Sequence, residues 1–168
     1  AGTIFRSVSV RHSRLNDISS GEGSFRFGGR WNPPGIRANY GSLTPETAMA
    51  ETLASARYHG FAVHTAMPRV FVAMEASLSR ILDLSDPQVL RIAKVSTGSL
   101  VKVDWRAEMD SGKTPITQAI GKLAAFHQLE AILVPSAAAL GQLNLVTFVD
   151  NLQPSSQLEV LSPDEFRA

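Results

Sequence analysis

Cysteine is absent from the 168 residues of the chain. Its absence excludes disulfide bonds, thiol nucleophiles and thiolate metal ligands. The chain also has no apolar run near the roughly 20 residues that span a bilayer, and its N-terminal segment lacks the positive region and apolar stretch of a secretory signal. We therefore expect a soluble, cytoplasmic protein with no membrane partner.

Histidines at metal-binding spacings are missing as well. The four histidines are His12, His59, His64 and His127. None of them forms the spaced pair that zinc sites use, and no set of carboxylates lies between His59 and His64. We expect no metal.

A strong excess of one charge is also lacking. The net charge of +1 is too small for a protein that holds duplex nucleic acid through counterion release, so we expect no direct nucleic-acid partner. The charge is nevertheless uneven, because residues 1–60 carry seven arginines and four acids. Arginine suits phosphate, so this third of the chain either holds a small phosphate-bearing ligand or presents a solvated basic face.

The remaining composition is that of a folded domain. Hydrophobic residues make up 44% of the chain and charged residues 18%, which lies in the globular range. The length suits one domain, and no linker, repeat or low-complexity tract divides it. We predict a single domain over residues 1–168.

Alternating and apolar segments predict five strands. They lie at residues 3–10, 68–78, 131–136, 144–149 and 157–161. The first alternates apolar and polar side chains, whereas 68–78 is a continuous apolar run that predicts a strand covered on both faces. Together with the helices between them, they predict an α+β fold with mainly antiparallel β-sheets and flanking helices.

Three cap-and-proline pairs predict helices. Thr44-Pro45 predicts a helix over residues 45–58, Asp86-Pro87 a short helix, and Thr114-Pro115 a helix that ends near His127. In the first helix the expected core positions are Met49, Leu53 and Ala56. Glu51 then lies on another face and is free to point into a cleft. In the third helix the expected buried stripe is Ile116, Ile120, Leu123 and Ala124.

Residues 19–43 fit neither a helix nor a strand. Six glycines and two prolines interrupt this arginine- and aromatic-containing segment, which predicts a long, ordered functional loop. Gly28 and Gly29 would let the backbone approach a ligand, Arg30 would supply a forked cation, and Trp31 a flat apolar wall. The alternative is a loop whose tryptophan fills the core and whose arginine pairs with an acid.

The run GEGSFRFGGRWNPPGIRANYGSLTPETAMAE resembles the signature region of the RES family. In that family an Arg-Trp-Asn motif, here beginning at Arg30, is followed at this spacing by a tyrosine, here Tyr40, and by a glutamate on a helix, here Glu51. Phe5-Arg6 resembles the pair in the family's first strand. LVPSAAALGQLNLVTF resembles its late segment, and the matching positions are Ser136 and Asn144.

The resemblance implies a fold similar to the ADP-ribosyltransferase toxins and NAD as the substrate. Members are toxins of bacterial toxin–antitoxin pairs that cleave the nicotinamide–ribose bond of NAD by hydrolysis or phosphorolysis. The implied partner is an antitoxin of helix-turn-helix, Xre-like type. An antitoxin tail or helix near Arg30 and Glu51 would then block the cleft.

Three matched residues suit the chemistry of NAD cleavage. The transition state resembles an oxocarbenium ion, and a carboxylate near the ribose, here Glu51, can stabilise its positive charge. Arg30 would hold the pyrophosphate. Tyr40 offers a ring that stacks on nicotinamide and a hydroxyl that orients it.

The other matched residues would bind the substrate. Arg6 is a second cation for the pyrophosphate or for the nicotinamide ribose, or else pairs across the sheet. The Ser136 hydroxyl could reach the ligand's amide or a phosphate, and no histidine near it in sequence would make it a nucleophile. Asn144 either contacts the ligand or opens a strand as a turn residue.

Two other functions compete with an NAD-degrading toxin. One is a mono-ADP-ribosyltransferase that modifies a host protein, and the other is a non-catalytic module that binds nucleotide or nucleic acid. A ribonuclease-type toxin is disfavoured because no histidine or lysine lies near the basic loop to act as a general acid or base.

Overall fold

The computed structural model describes residues 1–10, 14–62, 67 and 69–161, without the side chains of residues 15 and 16. The strands are β1 (Gly2–Ser9), β2 (Ala38–Ser42), β3 (Arg69–Ser77), β4 (Ile81–Asp83), β5 (Ala131–Pro135), β6 (Leu143–Phe148) and β7 (Gln157–Val160). The helices are α1 (Leu15–Ser19), α2 (Glu22–Phe27), α3 (Pro45–Tyr58), α4 (Pro87–Ile92), α5 (Thr97–Lys102), α6 (Trp105–Asp110) and α7 (Ile116–Phe126), and a 3-10 turn spans Val149–Asn151. In these ranges no helix is both long and apolar enough to cross a bilayer.

The strands form one hydrogen-bonded sheet in the order β4-β5-β6-β2-β1-β3-β7. β4 and β5 pair in parallel, and every other neighbouring pair is antiparallel. The predicted α+β class and its mainly antiparallel character are confirmed. The sequence predicted more than one sheet, whereas the structure has a single sheet. The pairing of β1 with β2 joins the two halves of this sheet.

The junction between the two halves is narrow. β1 pairs with β2 only at Phe5 and Ser42, whereas β1 pairs with β3 along its whole length. Each half also has its own hydrophobic core: one is built around Phe148 and Val146, the other around Ile4 and Met74. The narrow join leaves room for a cleft between β1 and β2.

Segments with strong local signals form as predicted. The helix over 45–58 has the predicted bounds, because the Thr44 hydroxyl accepts a hydrogen bond from the Thr47 amide and proline occupies the first turn. Asp86 caps α4 in the same way. The five predicted strands correspond to β1, β3, β5, β6 and β7; residue 68, the predicted start of the second, lies outside the described residues.

The prediction that residues 19–43 contain no regular element is wrong. Both α2 and β2 lie there. Their residues have weak propensities, and a tertiary contact holds them together: the Ser24 hydroxyl accepts a hydrogen bond from the Ala38 amide and donates to the Ala38 carbonyl. Gly21, at φ 66°, begins α2 in the left-handed region. The short elements α1, α5, α6 and β4 were not predicted either.

The predicted buried faces of two helices need correction. In α3 the buried residues are Thr47, Ala48 and Ala56, and Met49 and Leu53 are only half-buried. The side chains are small because α3 packs closely against β1 and β2.

Helix α7 differs more. It begins after Pro115 rather than Thr114. Two residues that were predicted to be buried are exposed: Leu123 is 59% exposed and Ile116 is 42% exposed. The buried face instead contains Thr117, Gln118, Gly121 and Ala124. Polar and small residues lie inward because this helix packs on the backbone of the glycine-rich segment: the Gln118 amide donates to the Gly29 carbonyl.

The expectation that residues 68–78 are covered on both faces is also wrong. In β3, Phe71 is 43% exposed and Glu75 is exposed, whereas Ala73, Met74 and Ala76 are buried. One face of this half of the sheet is therefore open to solvent near its end.

Gly121→Ala should destabilise the protein. An added Cβ would overlap the Trp31 carbonyl oxygen, which is backbone and cannot rotate away. We expect a loss of about 3 kcal/mol or more in the free energy of unfolding, measured by urea denaturation. The matched control is Gly98→Ala in α5, where the new methyl meets only open space and the Ser96 hydroxyl at 3.9 Å. An equal effect of the two substitutions would contradict this packing.

Glu130 is a buried carboxylate at the start of β5. Its Oε2 accepts hydrogen bonds from the Ser79 amide and hydroxyl and from the Arg80 amide, and its Oε1 accepts one from the Gln153 amide. Burial raises the pKa of Glu130, but these bonds and one from Ser156 outweigh it and lower the pKa to about 2. The charged form therefore ties the β3–β4 turn to the segment after β6.

Glu130→Gln should remove a pH-dependent part of the stability. The folded pKa lies below the unfolded value of about 4.3, so the carboxylate stabilises the fold above about pH 5 and this contribution is lost as the pH falls towards about 2. We expect the variant to lose about 2–4 kcal/mol at pH 7 and to show a flatter decline in acid. Denaturation from pH 7 to pH 2, with exposed Glu159→Gln as control, measures this. Parallel pH curves for wild type and Glu130→Gln would refute it.

Candidate active site

A cleft of about 600 Å³ opens beside the narrow junction of β1 and β2. Its walls come from β1, the glycine-rich segment 28–31, β2, α3, α6 and the segment after β5. The volume is that of a site for a small organic ligand. Of the residues predicted from the sequence, those that line it are Arg6, Arg30, Trp31, Tyr40, Glu51 and Asn144.

Glu51 is fixed by two hydrogen bonds from the opposite wall. Its Oε1 accepts from the Ser136 hydroxyl at 2.6 Å and from the Asn144 side-chain amide at 2.7 Å. Asn144 is itself oriented, because its Oδ1 accepts from the Ser42 hydroxyl at 2.7 Å. Among the described residues none donates to Oε2 of Glu51, so that oxygen can meet a ligand.

Ser136 is held as a hydrogen-bond donor to Glu51. Its hydroxyl oxygen accepts from the amides of Ala138 and Ala139 at 3.2 and 3.0 Å, and its proton points to the carboxylate. The predicted direct contact of Ser136 with a ligand is therefore replaced in this structure by a contact with Glu51. Its neighbours Pro135 and Ala137 line the cleft.

Arg30 is held by backbone carbonyls rather than by an acid. Its Nη1 donates to the carbonyls of Leu100 and Val103 at 3.3 and 3.0 Å, where α5 ends. Burial lowers the pKa of Arg30, and the charge of Glu51 opposes that shift. No salt bridge to Arg30 occurs among the described residues, so its charge is available to an anionic ligand.

The Tyr40 hydroxyl belongs to the loop and not to the open cleft. It accepts a hydrogen bond from the Trp31 amide at 3.0 Å and donates to Asn32 Oδ1 at 2.7 Å, and burial raises the pKa of Tyr40. The sequence predicted that this hydroxyl orients the ligand, whereas in the structure it orients the loop residues Trp31 and Asn32. Gly29 is needed for the same contact, because a Cβ there would overlap the Tyr40 hydroxyl.

Trp31 is a core residue. Its side chain is 2% exposed and packs with Ile132, Val134 and Phe148. Its ring therefore has almost no surface to offer a ligand, so it does not form the flat apolar wall that the sequence suggested. The structure instead has the other arrangement considered from the sequence, in which the tryptophan fills the core.

Arg6 lines the cleft and has one buried, unpaired group. Its Nη1 has no hydrogen-bond partner among the described residues, and its register partner on β3 is Val72 rather than an acid. Burial lowers the pKa of Arg6, Tyr40 opposes the shift and Arg69 adds to it. The alternative, in which Arg6 forms an ion pair across the sheet, is not found among the described residues.

Two further arginines line the cleft and were missed by the sequence analysis. Arg69 on β3 donates from Nε and Nη2 to the hydroxyl and carbonyl of Ser7, at 2.6 and 2.8 Å. Arg106 on α6 lies over the rings of Tyr58 and Trp105, 4.4 and 4.3 Å from their centroids. No local motif marks either residue, since only the fold brings them to the cleft.

Among the described residues, the charged side chains that line the cleft are four arginines and one glutamate, Glu51. Low-dielectric walls that carry one sign of charge concentrate ligands of the other sign, so the site suits a polyanion. Within the described ranges no three histidine or acidic side chains gather to hold a metal ion; His12 and His64 lie outside those ranges. The arrangement is that of an anion-binding cleft with one positioned carboxylate.

These features agree with the comparisons to known proteins. The RES domain family matches residues 3–166, and the chain belongs to that family. It is 31% identical over 132 residues to the NAD(+) phosphorylase MbcT of Mycobacterium bovis and of Mycobacterium tuberculosis. That alignment covers 74% of this chain and 64% of the mycobacterial protein.

The fold is similar to that of a solved structure. The crystal structure of the M. tuberculosis MbcT–MbcA toxin–antitoxin complex contains a chain that matches 96% of this chain and 81% of its own length, with a TM-score of 0.74 and 24% identity. The similarity supports the seven-stranded α+β arrangement described above.

Tyr40→Phe should weaken the glycine-rich loop. Removing the hydroxyl leaves the Trp31 amide and Asn32 Oδ1 without their partner, so we expect a loss of about 1–3 kcal/mol in the free energy of unfolding. Tyr58→Phe is the control, because that side chain is 48% exposed and should change stability by less than about 0.5 kcal/mol. Thermal denaturation of both variants measures the difference; a Tyr40→Phe protein as stable as wild type would show that the hydroxyl does not hold the loop.

Proposed function

We propose that this chain is the toxin of a bacterial toxin–antitoxin pair and that it consumes NAD by cleaving the nicotinamide–ribose bond. The observation that carries the proposal is the Glu51 carboxylate, which two side-chain donors hold in a cleft lined by arginines. We further propose that residues 1–168 form a single RES domain whose fold is related to the ADP-ribosyltransferase toxins.

Glu51 would act on the reacting sugar. As the glycosidic bond breaks, positive charge grows on the ribose, and a preoriented carboxylate stabilises it without having to reorganise. Ser136 and Asn144 occupy Oε1 and so direct Oε2 to the substrate. Both are positioning residues in this scheme, since they act through Glu51.

Arginine would bind the diphosphate of NAD. Arg30 is tied to the chain by Nη1, so its other N–H groups can donate to phosphate oxygens. Tyr40 lines the same cleft as Arg30 and Arg6. In this proposal the nicotinamide end would rest against the Tyr40 ring.

The relatives support an NAD-cleaving reaction. MbcT, to which the chain is 31% identical over 132 residues, is named an NAD(+) phosphorylase. The chain spans 64% of the length of that relative, and its first 150 residues carry every motif used above. Arg30, Tyr40 and Glu51, at the positions that resemble the family's motif, support the proposal that the chain has this activity.

The similarity to MbcT also supports an antitoxin partner for this chain. MbcT occurs in a toxin–antitoxin complex with MbcA, and an enzyme that depletes NAD would harm its own cell without an inhibitor. We propose a partner protein of helix-turn-helix, Xre-like type and a cytoplasmic site of action, where NAD is available.

Glu51→Gln should slow turnover strongly while NAD still binds. The amide keeps the shape but cannot neutralise the oxocarbenium charge, so we expect the rate of nicotinamide release to fall by about 100- to 1000-fold. The matched control is Glu46→Gln, an exposed glutamate on the same helix, which should turn over NAD as wild type does. Purified proteins incubated with NAD, with nicotinamide followed by chromatography, give both rates.

The products of the same incubation identify the acceptor. Free ADP-ribose indicates water, ADP-ribose phosphate indicates inorganic phosphate, and labelled protein indicates a transferase. A wild-type chain that binds NAD but releases no nicotinamide under any of these conditions would refute the enzymatic proposal and leave a binding module.

A further inference from the structure

The cleft runs along one face of α3. The residues of this helix that line it are Ala48, Glu51, Thr52, Ala54, Ser55 and Tyr58. Glu51 and Tyr58 share this face and are separated by two helical turns, or about 10 Å along the helix axis. A dinucleotide that places its reacting ribose at Glu51 can therefore reach Tyr58 with the nucleoside on the other side of its diphosphate.

Two aromatic rings lie at the Tyr58 end of the cleft. Tyr58 is the last residue of α3 and Trp105 the first of α6, and both line the cleft. Tyr58 is 48% exposed, and none of the six described residues of α6 is buried. Accessible aromatic surface of this kind packs against a nucleobase, so this end of the cleft suits the adenosine half of a dinucleotide.

Arg106 stacks on both of these rings. Its guanidinium carbon lies 4.4 Å from the ring centroid of Tyr58 and 4.3 Å from that of Trp105. Stacking uses the flat faces of a guanidinium and leaves the N–H groups at its edge free to bind phosphate. Within the described ranges no salt bridge to Arg106 occurs, so this charge is available to an anionic group of a ligand.

The positive charge of the cleft exceeds the negative charge of NAD. The charged side chains that line it, as far as the chain is described, are four arginines and Glu51, which give a net charge of +3. NAD carries two phosphate charges, and its pyridinium offsets one of them. A further phosphate ester adds a charge of about −1.5 to −2 at pH 7, which brings the dinucleotide closer to the charge that would neutralise the cleft.

Arg106 is the arginine that lies beside the accessible rings, and Arg30 is the one proposed above for the diphosphate. An arginine near the adenosine ribose is the group with which dinucleotide-binding proteins accept a 2′-phosphate. We propose that Arg106 binds a phosphate on the adenosine ribose, so that the cleft takes 2′-phosphorylated dinucleotides, the class to which NADP belongs, in addition to NAD. This inference rests on the proposed function and names a second substrate class for the same site.

The chemical step is the one proposed for NAD. The bond between the anomeric carbon of the nicotinamide ribose and the pyridinium nitrogen breaks, its electron pair goes to the nitrogen, and neutral nicotinamide leaves. An oxygen of the acceptor, water or inorganic phosphate, supplies the electron pair for the new bond to that carbon, and any proton on that oxygen goes to solvent. The 2′-phosphate is on the other ribose and takes no part in the step.

Arg106→Met should act selectively on NADP. The measurement is the initial rate of nicotinamide release from NAD and from NADP, which gives kcat/KM for each. Wild type should turn over both with similar kcat/KM, and loss of the charged fork should lower the NADP-to-NAD ratio of these values by about tenfold or more. Arg30→Met should lower both values and leave their ratio near that of wild type, because both substrates have the diphosphate. Arg91→Met, an exposed arginine on α4, removes the same charge away from the cleft and should change neither value.

A conservative variant and a binding titration separate phosphate recognition from a structural role. Arg106→Lys keeps the charge and should recover part of the lost ratio. Calorimetric titration compares ADP-ribose with 2′-phospho-ADP-ribose, which have no nicotinamide to lose. Arg106→Met should weaken binding of the second ligand about tenfold more than binding of the first. Thermal denaturation checks that every variant is folded at the assay temperature.

The possible outcomes distinguish this inference from the proposed function. A wild-type chain that cleaves NAD but has a kcat/KM for NADP more than about tenfold lower would overturn the inference and leave the NAD-cleaving function intact. An Arg106→Met protein with the wild-type ratio would also overturn it. A wild-type chain that releases nicotinamide from neither substrate would overturn the proposed function. The titration then decides the Arg106 site alone, and equal effects of Arg106→Met on both ligands would overturn it.

Discussion

The hydrogen bonds from Ser136 and Asn144 to one oxygen of Glu51 are the contact on which the site depends. They connect helix α3, which follows the first core strands, to the chain that follows β5 and to β6, about 90 residues later. Asn144 in turn holds Ser42 on β2. A carboxylate fixed in this way keeps one oxygen turned toward the cleft, which is the preorganisation that electrostatic catalysis needs.

The shape of the sheet explains why charge gathers here. Because β1 meets β2 at a single residue pair, the two halves separate, and each has its own apolar core. The gap is lined in part by charged residues that an apolar core does not accommodate, among them four arginines. Their mutual repulsion favours an anionic ligand over an empty cleft, so the fold and the proposed substrate class have a common electrostatic cause.

Local signals in the sequence predicted much of this structure. Thr44-Pro45 fixes the start of α3 because a side-chain cap and a proline act within one turn. The order and spacing of the motifs predicted that Arg30, Tyr40 and Glu51 share a site, and all three line one cleft. Where long-range packing decides, the sequence left the placement open: Trp31 is in the core, one of the two alternatives that its motif allowed. Arg69, far from these motifs along the chain, enters the cleft only through strand pairing.

The most direct test of the central claim is a crystal structure of the Glu51→Gln protein with NAD. The account predicts one NAD molecule in the cleft, with its diphosphate on arginine side chains and its nicotinamide ribose within hydrogen-bond distance of residue 51. A dinucleotide bound elsewhere on the molecule, or a nicotinamide ribose remote from residue 51, would contradict it.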